Sequence, residues 1–227
     1  MALVVLLRGV NVGGHRIFRP TTLAEQLKHL DAVNIGAAGT FVIRRPVTRA
    51  QLRAELVRRL PFDTEIMICE GRAILRLMTQ NHFADQPMRP DIVRFVSVLS
   101  KRPRSAPSTP MSFPSSGKWL LKILARDNRF VFGVYRRHMK VISYLGTFDR
   151  LFGVPVTTRN WNTITAIARV LGYGGRQFAG PATAAAGAVR PASRNLRTLS
   201  LSRKPSDRAI SRPEGSAMTS VGKAWMP

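Results

Sequence analysis

Two short polar segments contain the residues whose types and spacing could bind an anion. The first is the loop 8–16, which reads Arg-Gly-Val-Asn-Val-Gly-Gly-His-Arg. Its three glycines permit positive φ and leave backbone N–H groups accessible, as in an anion nest, and its two arginines would add positive charge. It has neither the ending of a Walker loop nor the glycine spacing of a dinucleotide fingerprint. The loop therefore either binds a phosphate or forms a structural turn capped by an Asn side chain. Its candidate ligands are Arg8, Gly9, Asn11, Gly13 and Gly14.

The second polar segment, 157–163, reads Thr-Thr-Arg-Asn-Trp-Asn-Thr and leads into apolar residues at helical spacing. We expect a helix from about 159 to 171, with Thr157 or Thr158 as its N-cap and Trp161 in the core. A helix N-terminus beside guanidinium and amide donors suits an anionic group. The candidate ligands here are Thr158, Arg159, Asn160 and Asn162.

These two segments stand at opposite ends of the region that we expect to fold. The hypothesis is that they meet in a cleft between two halves of the molecule, with Arg8, Asn11 and Arg159 directed at a phosphate or carboxylate.

Catalytic and metal-binding patterns are sparse. The four histidines have no metal-ligand spacing, and the few scattered acidic residues do not favour a two-metal carboxylate site. Cys69 ends an apolar run and is expected to be packed rather than nucleophilic. We therefore predict neither a metal nor a cofactor. A platform that stacks nucleic-acid bases is disfavoured too, because the expected central strands carry only one aromatic residue, Phe41.

The elements that must position the two segments begin with the run 3–7, which is apolar at every position and is typical of a strand covered on both faces. A helix is expected at 21–30, because Thr22 to Glu25 has capping-box spacing, and a hairpin at 33–43 follows. Thr48 begins a second capped helix, and a strand at 65–69 completes the order β-α-β-β-α-β. This order predicts a ferredoxin-like split βαβ unit with its first and third strands central, and so an α+β fold.

The rest of the chain divides into a second α+β half and a tail. Strands are expected at 92–98, 119–124 and 130–135, the last two as a hairpin turning at Asp127 and Asn128, and a loop rich in Pro and Ser fills 101–117. Helical sequence near 139–151 precedes the helix of the second polar segment. After that, apolar periodicity ends, which predicts a disordered tail. The predicted divisions are 1–86, 87–172 and 173–227.

The charge of the chain is its most unusual bulk property. It has 36 Lys and Arg against 12 Asp and Glu, for a formal net charge of +24. Such a field attracts polyanions, although an Arg-rich composition also accompanies GC-rich coding sequence. The chain has one cysteine, which fits a reducing compartment, and it has no signal-peptide pattern; we therefore expect a cytoplasmic protein. The apolar start is too short for a membrane span, so we expect no membrane partner. The oligomeric state stays open.

The segments Leu6–Gly14 and Thr157–Thr163 resemble the opening and closing signatures of the bacterial domain-of-unknown-function 1697 family. The resemblance covers about 1–172 and implies two related α+β halves, with no established activity. Where many relatives carry Ser-Gly-Asn before the third strand, this chain has Ala38-Gly39-Thr40, which removes two polar groups. The 101–117 loop replaces helical sequence of the relatives, and the tail has no counterpart.

Two functions of different classes remain. The first is a binding module whose basic cleft between the halves engages nucleic acid or another polyanion. The alternative is an enzyme that acts on a small phosphorylated or carboxylated metabolite at the Arg8, Asn11 and Arg159 cleft. The visible charge and the sparse catalytic residues favour the first.

Overall fold

The computed structural model describes residues 1–11, 18–87, 89–105 and 107–173. The candidate ligands Gly13 and Gly14 and almost all of the predicted disordered tail at 173–227 therefore lie outside the described residues.

The first half forms a four-stranded sheet with the order β2-β3-β1-β4, in which every neighbouring pair is antiparallel. This is the strand order of a ferredoxin-like split βαβ unit, and it confirms that the first and third strands are central. Its elements are β1 (Leu3–Leu7), α1 (Pro20–Gln26), β2 (Ala32–Asn34), β3 (Thr40–Ile43), α2 (Arg49–Arg59), β4 (Ile66–Glu70) and α3 (Gly71–Thr79).

The second half forms a five-stranded antiparallel sheet with the order β6-β7-β8-β5-β9. The expected hairpin is present, with Asn128 at φ 54° in its turn. The elements are β5 (Ile92–Leu99), β6 (Met111–Phe113), β7 (Leu121–Asp127), β8 (Phe130–Arg136), α4 (Lys140–Gly146), α5 (Phe148–Phe152), β9 (Val156–Asn160) and α6 (Trp161–Val170).

Both faces of the first sheet are covered. Leu3, Val5 and Leu7 of β1 pack with residues of α1 and α2, whereas Val4 and Leu6 belong to a hydrophobic cluster that also contains residues of the second sheet, α3 and α6. All five side chains of β1 are at most 5% exposed. The uniform apolarity of the run 3–7 thus follows from its position between two packed layers.

Helix α1 differs from the sequence prediction in its start and its length. The expected cap at Thr22 is wrong: the helix begins at Pro20, and its N-cap Arg19 makes no side-chain capping hydrogen bond. Proline is favoured in the first turn because its ring fixes φ and it has no N–H to satisfy. Past Leu27, residues Lys28–Leu30 form a 3₁₀ turn rather than more α-helix. At α2, by contrast, the capping box between Thr48 and Gln51 is confirmed.

Two short strands were not predicted. Strand β6 lies within the Pro- and Ser-rich segment that was expected to be a loop. Strand β9 occupies the expected helix start, and all five of its residues pair with β5. Thr157 and Thr158 are therefore strand residues and not helix caps. Their β-branched side chains suit a pleated strand.

Among the described residues, every helix is too short or too polar to cross a membrane. The division of the chain near residue 86 stays a prediction, and the two halves share one hydrophobic cluster.

Candidate functional site

Arg159 is a buried arginine whose side chain ties β9 to the first sheet. Because β9 pairs with β5, alternate side chains of β9 face the first half, and Arg159 is one of these. It is only 7% exposed, and each of its five N–H groups donates to a neutral oxygen. The acceptors, at 2.7–2.9 Å, are Oγ1 of Thr40, Oγ1 of Thr157, and the backbone oxygens of Thr158, Leu7 and Ala38.

The charge of this guanidinium has no carboxylate among its hydrogen-bond partners. Burial lowers the pKa of Arg159 to about 10, so the side chain is still charged at neutral pH. Thr40 accepts from Nε at 2.8 Å, so the hydroxyl at this buried position is used by the guanidinium.

Arg8 lies at the end of β1 and reaches toward the same part of β9. Its Nε donates to the backbone oxygen of Val156 at 3.1 Å, and its Nη2 pairs with the carboxylate of Asp149. That carboxylate also accepts from the Val156 N–H at 3.0 Å. The pair therefore fastens the end of β1 to α5 and to the start of β9.

Asn11 closes the loop that the sequence analysis proposed as an anion nest. Its Oδ1 accepts from the Phe18 N–H at 3.0 Å, and its Nδ2 donates to the backbone oxygens of Phe18 and Ala37. The residue has φ 55°, a left-handed conformation that Asn adopts more readily than most residues. This capping geometry is the structural role that the sequence analysis considered for Asn11.

The structure brings the two polar segments together. Arg159 donates to the backbone oxygens of Leu7 and Ala38. Leu7 directly precedes Arg8, and Ala38 directly follows Ala37, whose backbone oxygen accepts from Asn11. A cavity of about 360 Å³ adjoins this junction and is lined by Arg8, Gly9, Leu145, Gly146, Asp149, Val156, Thr157, Thr158 and Arg159. The named donors point at protein oxygens in this structure, and the binding of an anion by them stays a prediction.

Thr158, Asn160 and Asn162 do not share one site. The hydroxyl of Thr158 lies 2.7 Å from that of Ser97. Asn160 is the N-cap of α6, since its Oδ1 accepts from the Thr163 N–H at 2.8 Å. With Trp161 and Asn162 it lines a separate groove of about 450 Å³, whose charged residues are Arg89, Arg94 and Arg137.

A further cleft, which the sequence analysis missed, contains residues of both halves. We call it the β4 cleft; it has a volume of about 480 Å³ and is lined by Arg49, Cys69, Glu70, Arg72, Ala73, Arg76, Asn128, Arg129 and Phe130. Arg72 and Arg76 stand four residues apart on α3 and so project from one helix face. That spacing was the available signal in the sequence. The sequence does not indicate that α3 packs beside the β7–β8 hairpin, which lies about 50 residues later in the chain.

Arg129 holds the two sides of the β4 cleft together. It follows the hairpin turn, and it donates from Nε to the Leu99 backbone oxygen at 2.8 Å and from Nη1 to that of Ile68 at 3.3 Å. Near it, Gln80 after α3 donates to the Asp127 carboxylate at 2.7 Å. These contacts fix the hairpin beside β4.

Glu70 is the only carboxylate that lines the β4 cleft. It accepts from Arg49 at 2.9 Å and is also paired with Arg72. The hydrogen bond from Arg72, together with the charges of Arg72 and Arg49, lowers the pKa of the Glu70 carboxyl. Cys69 is buried at the base of this cleft, and burial raises the pKa of its thiol, which suits a packed residue rather than a nucleophile.

Within the ranges that the structure describes, no cluster of three or more His, Cys, Asp and Glu side chains is arranged to hold a metal ion.

Comparison with known proteins gives a family. The family model described as "Protein of unknown function (DUF1697)" matches residues 1–116, which include the first signature but not the second. No curated protein matches the chain. One similar solved structure is that of the conserved bacterial protein SP0830 from Streptococcus pneumoniae. It has 15% identity and a TM-score of 0.47, and the match covers 75% of this chain and 98% of that one.

Proposed function

The chain belongs to the domain-of-unknown-function 1697 family, and we propose that it is a nucleic-acid-binding module whose β4 cleft contacts the phosphate backbone. The observation that carries the proposal is the composition of that cleft. Four arginines and one carboxylate line it, which gives the lining a net charge of +3. Arg49 and Arg72 share that carboxylate, and Arg76 and Arg129 pair with no carboxylate among the described residues. A groove of one sign of charge raises the local concentration of polyanions and speeds their association.

Three of the four arginines of the β4 cleft are exposed and accessible to a ligand. The side chains of Arg49 and Arg72 are 55% and 67% exposed even though both pair with Glu70. Exposed ion pairs of this kind contribute at most about 1 kcal/mol, so a phosphate can replace Glu70 as their partner at little cost. Arg76 is also exposed, and its side chain makes no ion pair or hydrogen bond to the described residues.

The contacts available in this cleft favour the backbone over the bases. Arg49, Arg72 and Arg76 present guanidinium groups, which match the geometry of a phosphate. The aromatic residue of the lining, Phe130, is 4% exposed and offers no stacking surface. The covered faces of the first sheet likewise leave β1 and β3 without an open platform. We therefore expect affinity that depends little on sequence.

Fluorescence anisotropy with a labelled single-stranded oligonucleotide tests the proposal. The cleft variant Arg72→Gln/Arg76→Gln is compared with Arg19→Gln/Lys28→Gln, which removes the same charge from exposed residues outside the cleft. We expect the cleft variant to bind about tenfold more weakly than the full wild-type chain, ~1.4 kcal/mol, and the control to lose much less. Equal losses in the two variants would show that only the total charge matters, and the proposal would fail.

A second candidate function uses the cavity beside Arg8 and Arg159 and takes up the metabolite alternative. A buried guanidinium without a carboxylate partner would favour a small phosphate or carboxylate in the adjoining cavity. A thermal-shift screen of phosphorylated and carboxylated metabolites tests it. A ligand that raises the unfolding temperature of the wild type, but not that of Arg8→Gln, is the expected result; a panel that leaves the wild type unshifted argues against it.

A further inference from the structure

A second basic pocket lies in the second half, between the segment after β5 and the end of α5. We call it the α5 pocket; it has a volume of about 580 Å³ and is lined by Lys101, Arg102, Arg104, Ser105, Arg150, Leu151, Phe152, Gly153 and Val154. We propose that this pocket binds a compact oligophosphate group, of the kind carried by a nucleoside triphosphate or by inorganic tripolyphosphate.

The fold holds the two sides of the α5 pocket in place. The Ser100 N–H donates to the Pro155 backbone oxygen at 2.9 Å, which fixes the start of the 101–105 segment beside the residues that follow α5. Pro103 is buried, while Arg102 and Arg104 on either side of it are exposed. The segment is thus anchored by its middle residue and presents its cations to solvent.

The basic side chains of this pocket are not paired with other side chains among the described residues. Lys101, Arg102, Arg104 and Arg150 line it, and none of their side chains makes an ion pair or a hydrogen bond to those residues. No carboxylate is in the lining. The carboxylate nearest in sequence, Asp149, is engaged by Arg8 and by the Val156 N–H.

An ordinary structural role does not account for these cations. Basic side chains near a helix C-terminus often donate to its last carbonyl groups. Here none of the four donates to a carbonyl of α5. Four like charges that converge on one pocket repel one another, and a multivalent anion would relieve that repulsion.

The chemistry of the lining sets the class of ligand. A single carboxylate or monovalent phosphate would neutralise only part of four positive charges, whereas an oligophosphate carries a comparable negative charge in a short length. Three guanidiniums supply paired donors for phosphate oxygens, and Lys101 supplies a point charge. The apolar residues Leu151, Phe152 and Val154 give the pocket a wall against which a nucleoside can pack.

This inference does not rest on the proposed function, since the β4 cleft is built by different residues. Isothermal titration calorimetry on the full chain, in 150 mM salt, with tripolyphosphate, ATP and inorganic phosphate as titrants, tests it. The pocket variant is Arg104→Gln/Arg150→Gln. The control is Arg19→Gln/Lys28→Gln, which loses the same number of positive charges from exposed residues outside the pocket.

We expect tripolyphosphate to bind the wild type and the control with affinities within twofold of each other, and the pocket variant at least tenfold more weakly. Inorganic phosphate should bind much more weakly than tripolyphosphate. If ATP binds more tightly than tripolyphosphate, the pocket recognises the nucleoside as well as its phosphates, and the ligand is a nucleotide. If ATP binds equally or more weakly, the pocket recognises only the oligophosphate. Wild-type protein that binds neither tripolyphosphate nor ATP, or a pocket variant that binds them as tightly as the control does, would overturn the inference.

Discussion

Arg159 connects the two halves by donating to three backbone oxygens and two hydroxyl groups, and this network explains why a cationic side chain can be buried there. The sequence singled out the segments of Arg8 and Arg159 as the two signatures of the resemblance, and the two residues line one cavity. It was not sufficient to predict that their donors are already used. The acceptors include the backbone oxygens of Leu7 and Ala38, which any residue type would supply.

Replacement of Arg159 by Ala should cost about 3–5 kcal/mol of unfolding free energy, because it leaves buried acceptors unpaired and opens a cavity. Arg159→Lys should lose less unfolding free energy than Arg159→Ala, since an ammonium keeps the charge and three of the donors. It should still be less stable than the wild type, because two of the five acceptors lose their donor. Urea unfolding measures both. The matched control is Arg169→Ala at the exposed end of α6, with an expected change within about 0.5 kcal/mol. A cost below about 1 kcal/mol for Arg159→Ala would refute the structural role.

Strand β1 and helix α2 could be predicted from sequence because each carries its own local signal, continuous apolarity in β1 and a capping box at Thr48 in α2. Strand β9 could not be predicted from sequence, because it forms by pairing with a strand that is distant along the chain. The Thr-Thr-Arg-Asn segment forms a strand through pairing with β5, some 60 residues earlier in the chain. The helix that follows is capped by Asn160, a residue that the prediction had already placed inside the helix.

The packing between β7, β8 and β5 depends on Gly133, which lies opposite Phe95 in the register of β5 and β8. A methyl group at this position would overlap the ring of Phe95 and the backbone oxygen of Lys122. We expect Gly133→Ala to lose about 1–3 kcal/mol of unfolding free energy, toward the upper end because a strand carbonyl cannot move aside.

Gly146→Ala is the matched control for Gly133→Ala. An added methyl group at Gly146, the last residue of α4, would meet no atom within 4 Å, and helix propensity favours Ala over Gly by up to about 1 kcal/mol. Thermal unfolding of the two variants should therefore shift in opposite directions. A Gly133→Ala protein as stable as the wild type would show that the strands are less closely packed than described.

At the scale of the whole molecule, several carboxyl groups have a pKa that neighbouring arginines lower. Hydrogen bonds from Arg44, Arg72 and Arg89 are the first cause of a lowered pKa at Asp31, Glu70 and Asp91 respectively. A carboxyl whose pKa is lower in the folded state binds protons more readily when unfolded. Stability therefore rises with pH through the acid range and is lost as pH falls below the unfolded pKa values of about 4.

We expect the urea midpoint to stay nearly constant from pH 7 to pH 5 and to fall between pH 4.5 and pH 3. Loss of the remaining negative charges in so basic a chain would also increase repulsion between like charges. Removal of one of these carboxylates, as in Asp31→Asn, should reduce the acid dependence. A midpoint that rises on acidification would contradict this account.

The strongly positive net charge of the molecule could be read from the sequence. Which arginines come together at the β4 cleft could be learned only from the folded structure.

The salt dependence of oligonucleotide binding tests the central claim most directly. In a plot of log affinity against log salt, the slope for a single strand changes by about 0.7 for each phosphate contact. We predict that Arg72→Gln/Arg76→Gln lowers the magnitude of that slope by about 1.4 relative to the wild type, while Arg19→Gln/Lys28→Gln leaves it nearly unchanged. Identical slopes for the wild type and the cleft variant would contradict the account.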